Sequence, residues 1–402
     1  MIIPSKRTKE LRYAIRDVLI PAKKLEKKGK KIYYFNIGDP NKFDFDTPDY
    51  LKEELIRIIK EEKTGHYGDS EGEIKLRESI VERENKKNRI SINTDDVIIT
   101  HGISEGIEIL LSSIIEPGRG DEILIGGPAY PVYVEMTKFL GGIPVTYRCI
   151  EENGWEPDIE DLRKKVSKKT KAIVVVNPNN PTGSVFGKEI LKEIVKIADE
   201  NGTLLIGDEI YDQLIFGKKE HHGLASLSKN TPSIIFNGFS KSYLIPGWRI
   251  GYMYFNDPSG SLNELKEAVL QRARLRLSCA TPLMKACAIA YRGPQNHIKE
   301  INRKLRERAE FAYKRLNEIN RISTQKPEGA FYIFPRVDIK GKWKSDKEFC
   351  LELLNETGVL FPPGSGFDET YGHGHFRSII LPPLEIMEEA FDKVDEFMKN
   401  AG

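Results

Sequence analysis

Three short stretches of the 402-residue sequence carry the residue types that acid–base and covalent chemistry need. The first is Asn177-Pro178-Asn179-Asn180-Pro181-Thr182-Gly183 and the second is Asp208-Glu209-Ile210-Tyr211-Asp212. The third is Ser240-Lys241-Ser242-Tyr243, followed closely by Gly247-Trp248-Arg249-Ile250-Gly251. A lysine amine acts as a nucleophile or moves protons only when its pKa falls well below the free value of about 10.4. Burial and nearby positive charge lower it, and Arg249 on the same loop is a source of that charge. Taken singly, each residue has a plainer reading. A lone lysine is a solvated side chain, Asp208 a turn former or cap at a strand end, and Asn180 an Asx-turn in a Pro/Gly-rich loop.

The elements around these stretches set their positions. Short apolar, β-branched runs predict strands at Val97–Thr100, Glu122–Gly126, Lys171–Asn177, Thr203–Asp208, Ser233–Asn237 and Arg249–Phe255. Amphipathic helices are predicted between them, including Ser104–Ile115 and Lys188–Asn201, the latter with Ile190, Leu191, Ile194, Ile197 and Ala198 at helical spacing. Alternation of this kind predicts an α/β fold with a mostly parallel sheet and crossover helices. All three stretches then lie at the carboxyl ends of predicted strands, where open α/β sheets place their ligand crevice. The chain has neither a GxGxxG after a strand nor a Walker A sequence. Strand Val97–Thr100 does run through His101-Gly102-Ile103-Ser104-Glu105-Gly106 into a helix, a place where free N–H groups and the helix dipole attract a phosphate. Ser104 is expected there as the N-cap.

From about Pro294 the texture changes. A long helix carrying Ile298, Ile301, Leu305, Ala309, Ala312 and Leu316 leads to a predicted strand at Gly329–Phe334 and a terminal helix with Ile386, Ala390, Phe391, Val394 and Phe397. We expect a large domain over 46–293, a small α+β domain over 294–402, and an N-terminal segment, 1–45, that joins the small domain.

The order and spacing of these motifs resemble the fold-type I, class I/II aminotransferases that use pyridoxal 5′-phosphate. The resemblance covers nearly the whole chain, from Asn36-Ile37-Gly38-Asp39-Pro40 through His66-Tyr67-Gly68 and Gly329-Ala330-Phe331-Tyr332 to His375-Phe376-Arg377. Within that family the chain is most similar to the archaeal alanine aminotransferase type, at Tyr13-Ala14-Ile15-Arg16-Asp17-Val18, Lys42-Phe43-Asp44-Phe45 and Tyr67-Gly68-Asp69-Ser70-Glu71-Gly72. The fold so implied is an α/β/α sandwich with a smaller α+β domain.

The resemblance also implies roles. Lys241 would hold the cofactor covalently and then move the proton at the substrate's α-carbon, with Asp208 facing the ring nitrogen. Tyr211 and Asn180 would reach the phenolate oxygen and Tyr130 would stack on the ring. The backbones of Gly102 and Ile103, with Ser104 and Arg249, would hold the phosphate. Tyr67 would reach the phosphate in the neighbouring subunit, making the site the property of a homodimer. Arg377 would bind the substrate α-carboxylate with a planar two-pronged fork, helped by the Gly38 backbone and Asn180. One departure is Gly238, where many relatives have a serine. The implied reaction passes an amino group from an amino acid, with alanine the best match, to 2-oxoglutarate in two half-reactions. Aspartate or LL-diaminopimelate as donor, and a fold-type I lyase as a different class, stay open. Arg272, Arg274 and Arg276 alternate where a partner for a distal carboxylate is expected, and none aligns cleanly.

Composition sets the outer bounds. With 39% hydrophobic and 30% charged residues and a net charge of +2, the chain offers no electrostatic footprint for nucleic acid or an anionic membrane. No apolar run approaches the roughly 18 residues a membrane span needs, and no signal-like segment opens the chain, so a cytoplasmic protein is expected. The four cysteines, Cys149, Cys279, Cys287 and Cys350, have no short spacing and read as buried thiols. The pairs His221-His222 and His373-Gly374-His375 lack further ligands at metal-binding spacing, so no metal is expected.

Overall fold

The computed structural model describes residues 2–401. Its centre is an eight-stranded sheet: β1 (Val97–Thr100), β2 (Glu122–Gly127), β3 (Ile143–Ile150), β4 (Glu156–Pro157), β5 (Thr170–Val176), β6 (Leu204–Asp208), β7 (Ser233–Gly238) and β8 (Gly251–Asn256). The spatial order is β1-β8-β7-β6-β5-β2-β3-β4, with parallel pairing from β7 through β3 and antiparallel pairing on both sides of β8 and at β4.

Parallel strands covered on both faces read as continuous apolar runs, and their side chains still alternate between two cores. Ile123, Val174, Ile206, Ile234 and Met253 enter one core, beneath α1 (Ile103–Ile114), α2 (Pro131–Phe139) and a helix at Asn263–Arg274. Leu124, Ile173, Leu205, Ile235 and Tyr252 enter the other, against helices Ile74–Asn88 and Lys188–Asn201. The second of these buries Leu191, Ile194, Ile197 and Ala198 and leaves Ile190 only part-covered.

A separate apolar core joins the long helix Asn296–Glu318, the helices Asp346–Thr357 and Leu384–Ala401, and three two-stranded pairs. Tyr33–Tyr34 runs parallel to Val359–Leu360, so the N-terminal segment is stitched to the C-terminal part. Tyr332–Ile333 pairs antiparallel with Ser378–Ile379, which sets Arg377 beside Tyr332.

Several expectations shift. The predicted strand at Gly329–Phe334 shrinks to Tyr332–Ile333, the residues that find a strand partner. Ile386 is 40% exposed rather than in the stripe of the terminal helix. Strand β3 escaped prediction because Pro144 demotes the run Ile143–Ile150, yet it pairs with β2 over six residues. The last strand begins at Gly251, two residues later than expected, and it is antiparallel. Its amino end therefore meets the carboxyl ends of β5, β6 and β7, which brings Arg249 to their edge. All four cysteines are free and buried, and among the described residues no helix is long and apolar enough to cross a membrane.

Candidate active site

Three strands end at one cleft. Strand β5 delivers the Asn177–Gly183 loop, β6 delivers Asp208 through Asp212, and β7 delivers Ser240 and Lys241. A single cavity there is lined by Gly38, Ile103, Ser104, Tyr130, Asn180, Asp208, Tyr211, Lys241, Arg249 and Arg377. Two predicted site residues are not among its lining. Gly102 lies just behind it, against Arg249, and Tyr67 stands 80% exposed on the surface.

Lys241 is part-buried, and its amine donates to the Gly38 carbonyl at 2.7 Å. Burial pulls its pKa from 10.5 down to about 8; the positive charges of Arg377 and Arg249 act in the same direction, while Asp39 and Asp208 oppose them. A lysine at about 8 supplies a useful fraction of free amine near neutral pH. Asp208 is 1% exposed, and burial pushes its carboxyl up to about 6. Its two oxygens accept from the Tyr133 hydroxyl at 3.1 Å and the Ile210 N–H at 3.3 Å. Among the described residues no cation forms an ion pair with it, although the charge of Lys241 acts on it from a distance. A carboxylate so placed favours a cationic partner above it, as a protonated ring nitrogen would be.

Arg377, 1% exposed, is one of the largest fully buried side chains. Its Nη1 donates to Asn180 Oδ1 at 2.8 Å and its Nη2 to the Asn36 carbonyl, while Nε has no partner. The guanidinium lies over the Tyr332 ring at 4.4 Å and the Phe367 ring at 4.8 Å. A buried cation without a carboxylate is costly unless a ligand completes it. Tyr211 and Tyr332 share a hydroxyl–hydroxyl hydrogen bond of 2.7 Å.

The turn after β1 is shaped for close approach. Gly102 has φ +67°, and a Cβ there would fall 2.3 Å from Arg249 Nη2. Gly102, not Ser104, is the N-cap of α1; Ser104 lies within the first turn, so its hydroxyl is not spent on capping. Arg249 holds a left-handed backbone, φ 59°, of the kind that persists when its surroundings over-determine it. Its guanidinium donates to the carbonyls of Pro246 and His101, each at 3.1 Å. An open helix start, a hydroxyl and a guanidinium together suit a phosphate. The residues present therefore fit pyridoxal phosphate: Asp208 and Lys241 would serve its ring and Arg249 its phosphate. Gly238 has a structural reason: a Cβ there would lie 2.8 Å from Gly251 Cα across the β7–β8 pair. Ser240 lines the cavity in its stead.

Other lining residues had no assigned role from sequence. Tyr13 and Arg16, in the string Tyr13–Val18, and Tyr332, in Gly329–Tyr332, were visible only as parts of motifs. Tyr133 does not line the cavity but lies behind it on α2, where its hydroxyl donates to Asp208. Arg16 has no carboxylate partner among the described residues, and Arg272, Arg274 and Arg276 do not line the cavity; Arg272 pairs with Glu108, Arg274 with Glu267 and Arg276 with Glu105.

Comparison with known proteins gives one consistent result. The sequence profile of "Aminotransferase class I and II" matches residues 31–393. The solved structure of an alanine aminotransferase from Pyrococcus furiosus superposes with a TM-score of 0.96 at 51% identity, covering 99% of this chain and 100% of that one. The glutamate-pyruvate aminotransferase AlaA of Haemophilus influenzae is 36% identical over 94% of this chain and 93% of its own. A (5-formylfuran-3-yl)methyl phosphate transaminase of Methanocaldococcus jannaschii is 36% identical over 96% of both chains. With a cleft that suits the cofactor and a match across nearly its full length, this chain belongs to the class I and II aminotransferases, fold-type I enzymes that depend on pyridoxal phosphate.

Proposed function

We propose that the protein moves the amino group of alanine to 2-oxoglutarate, and back, in two successive half-reactions at this cleft. The observation that carries the reading is the gathering of the Lys241 amine, the Asp208 carboxyl and the Arg377 guanidinium around one cavity. Pyridoxal phosphate, when bound, supplies the electron sink for the amino acid's α-carbon.

The chain's own residues do the rest. The Arg377 fork, steadied by Asn180 and the Asn36 carbonyl, grips the α-carboxylate and fixes which α-bond faces Lys241. The Lys241 amine, free once substrate has taken its place, holds and returns the proton at the α-carbon. Tyr211 and Asn180 would hold the cofactor through its ring oxygen, and Tyr130 would pack on the ring. Buried Asp208 would favour a positive charge on the ring nitrogen. Arg16, a cation in the cavity wall without a carboxylate of its own, meets the second carboxylate of glutamate and 2-oxoglutarate. Alanine lacks that group, and its methyl needs no partner. The names of the P. furiosus and H. influenzae relatives support alanine and pyruvate as one pair.

The exposure of Tyr67 supports a shared site, in which that hydroxyl serves the second copy of a homodimer. The two sheet-facing cores and the separate core of the C-terminal helices support a division at 1–45, 46–293 and 294–402.

A spectrophotometric scan of half-reactions over amino acids, then over oxo acids, tests the reading. Alanine and glutamate should each change the cofactor spectrum, and Arg16→Ala should weaken glutamate by ~10-fold or more while sparing alanine. Turnover of one amino acid without any oxo-acid acceptor would instead mark a lyase. Borohydride should fix the label on Lys241; a label on another lysine would sink the assignment.

A further inference from the structure

A cluster of metal-ligating side chains lies outside the cavity, beside the turn that follows β1. His101 and Glu105 stand four residues apart at the start of α1, and His101 Nδ1 is 3.1 Å from Glu105 Oε1. Cys279 enters from the segment between helices Asn263–Arg274 and Thr281–Cys287. One donor atom from each of the three lies within 4.8 Å of the other two. A nitrogen, an oxygen and a sulfur in this arrangement are the ligands that Zn²⁺ accepts, and the thiol and imidazole disfavour the hard cations Mg²⁺ and Ca²⁺. We propose that His101, Glu105 and Cys279 form a binding site for one thiophilic divalent cation, Zn²⁺ or Cd²⁺, with water in the remaining position.

The ligands are held independently of any ion. Glu105 Oε2 accepts the backbone N–H of His101 at 2.8 Å and lies 3.0 Å from Arg276 Nε, which leaves Oε1 turned toward the imidazole. Cys279 is 2% exposed, whereas the His101 side chain is 42% exposed, so an ion can enter along the ring. With Zn–N near 2.0 Å and Zn–S near 2.3 Å, tetrahedral donors sit about 3.5 Å apart, so ligation asks for a contraction of at most about 1.3 Å. The carboxylate and the thiolate formed on binding carry two negative charges, and Arg276 offsets one of them.

Metal ions are held by the thiolate and by a ring nitrogen free of its proton, so affinity falls as pH is lowered. The site also adjoins the phosphate turn, since the His101 carbonyl accepts from Arg249 Nη2 and Gly102 comes next.

Titration of the cofactor-loaded protein with Cd²⁺, read by the ultraviolet thiolate-to-cadmium charge-transfer band, tests the site. The band should saturate near about one ion per chain, be accompanied by proton release, and be displaced by Zn²⁺. It should vanish in Cys279→Ser, persist in Cys350→Ser, and need ~100-fold more Cd²⁺ in His101→Gln, the upper end of what second-shell changes alone cost. The wild-type titration stands even where a variant fails to fold. No band in the wild type, a band that survives Cys279→Ser, or unchanged affinity in folded His101→Gln overturns the proposal.

Discussion

Asp208 and Asp212 stand four residues apart on one segment, both buried, and their carboxyls titrate in opposite directions. Burial raises both. At Asp208 nothing strong opposes it, because the nearest partners are a tyrosine hydroxyl and one N–H. At Asp212 the cations Arg83 and Lys87 press on the same oxygen and hold the carboxyl below its usual range. Arg83 also pairs with Glu84, which accepts from the Tyr252 hydroxyl at 2.7 Å and from Asn88 at 2.8 Å. The cluster behind the cleft is thus compensated from within, and it pins helix Ile74–Asn88 to the segment that carries Tyr211. In the cleft, Asp208, Lys241 and Arg377 keep their charge needs open for a ligand to satisfy. Sites kept for chemistry give up stability in this way.

The largest effect that would sharpen this contrast is catalytic. Lys241→Ala should lower the half-reaction rate by ~10⁴-fold, the top of the general acid–base range, with the protein still folded. Stopped-flow spectra with alanine measure it. Next comes the compensated cluster: Asp212→Ala removes one of the two carboxylates that balance buried Arg83 and should cost about 3–5 kcal/mol in urea unfolding. An equal loss from Asp208→Ala would break the comparison.

The third test uses pH on the cofactor-free protein. Asp208 has a folded pKa of about 6 against 3.8, so its ionised form penalises folding above pH 6 by up to about 3 kcal/mol, and the penalty disappears as pH falls to 3.8. Asp208→Asn should therefore stabilise at pH 7 and be neutral near pH 4. Lys241, lowered from 10.5 to about 8, behaves as the mirror image: its charged form costs stability below pH 8, and stability recovers as pH rises to 10.5. The Asp212 contribution, with its folded pKa depressed, should persist between pH 4 and 6 and be lost only as pH falls further. Melting curves of the three variants across pH would show whether the signs hold. The smallest change expected is Gly238→Ser, which should cost about 1–3 kcal/mol through the clash with Gly251 and add nothing to phosphate affinity. A tighter cofactor in that variant would overturn the steric account.

Much of the sheet was legible because parallel strands need continuous apolar runs: Thr170–Val176 and Ser233–Gly238 could hardly be anything else. Strand β3 was hidden by Pro144, and the Gly329–Phe334 run was overread because its apolar residues serve loop packing as much as pairing. Ser104 looked like a cap from its residue type, but a glycine with positive φ took that position. Among site residues, motifs located the cleft's lining well. Arg16 and Tyr133 had no role to announce them, since a charge on a short helix, Ala14–Asp17, and a tyrosine on a helix are ordinary features.

The sequence alone determined which side chains could reach the carboxyl edge of the sheet, because strand periodicity and loop length dictate where Asn180, Asp208 and Lys241 emerge. It also determined their chemical types, and with them the family. Tertiary structure decided everything that depends on distance between remote segments. It placed Arg377 over Tyr332 and against Asn180, turned Arg249 back on Gly102, and gave Asp208 and Asp212 opposite electrostatic surroundings. It also joined His101, Glu105 and Cys279, a metal-ligand set whose third member lies 174 residues from the second and so has no spacing that a sequence reading could recognise. Burial and Coulomb interactions act through space, and only the fold says which charges share it.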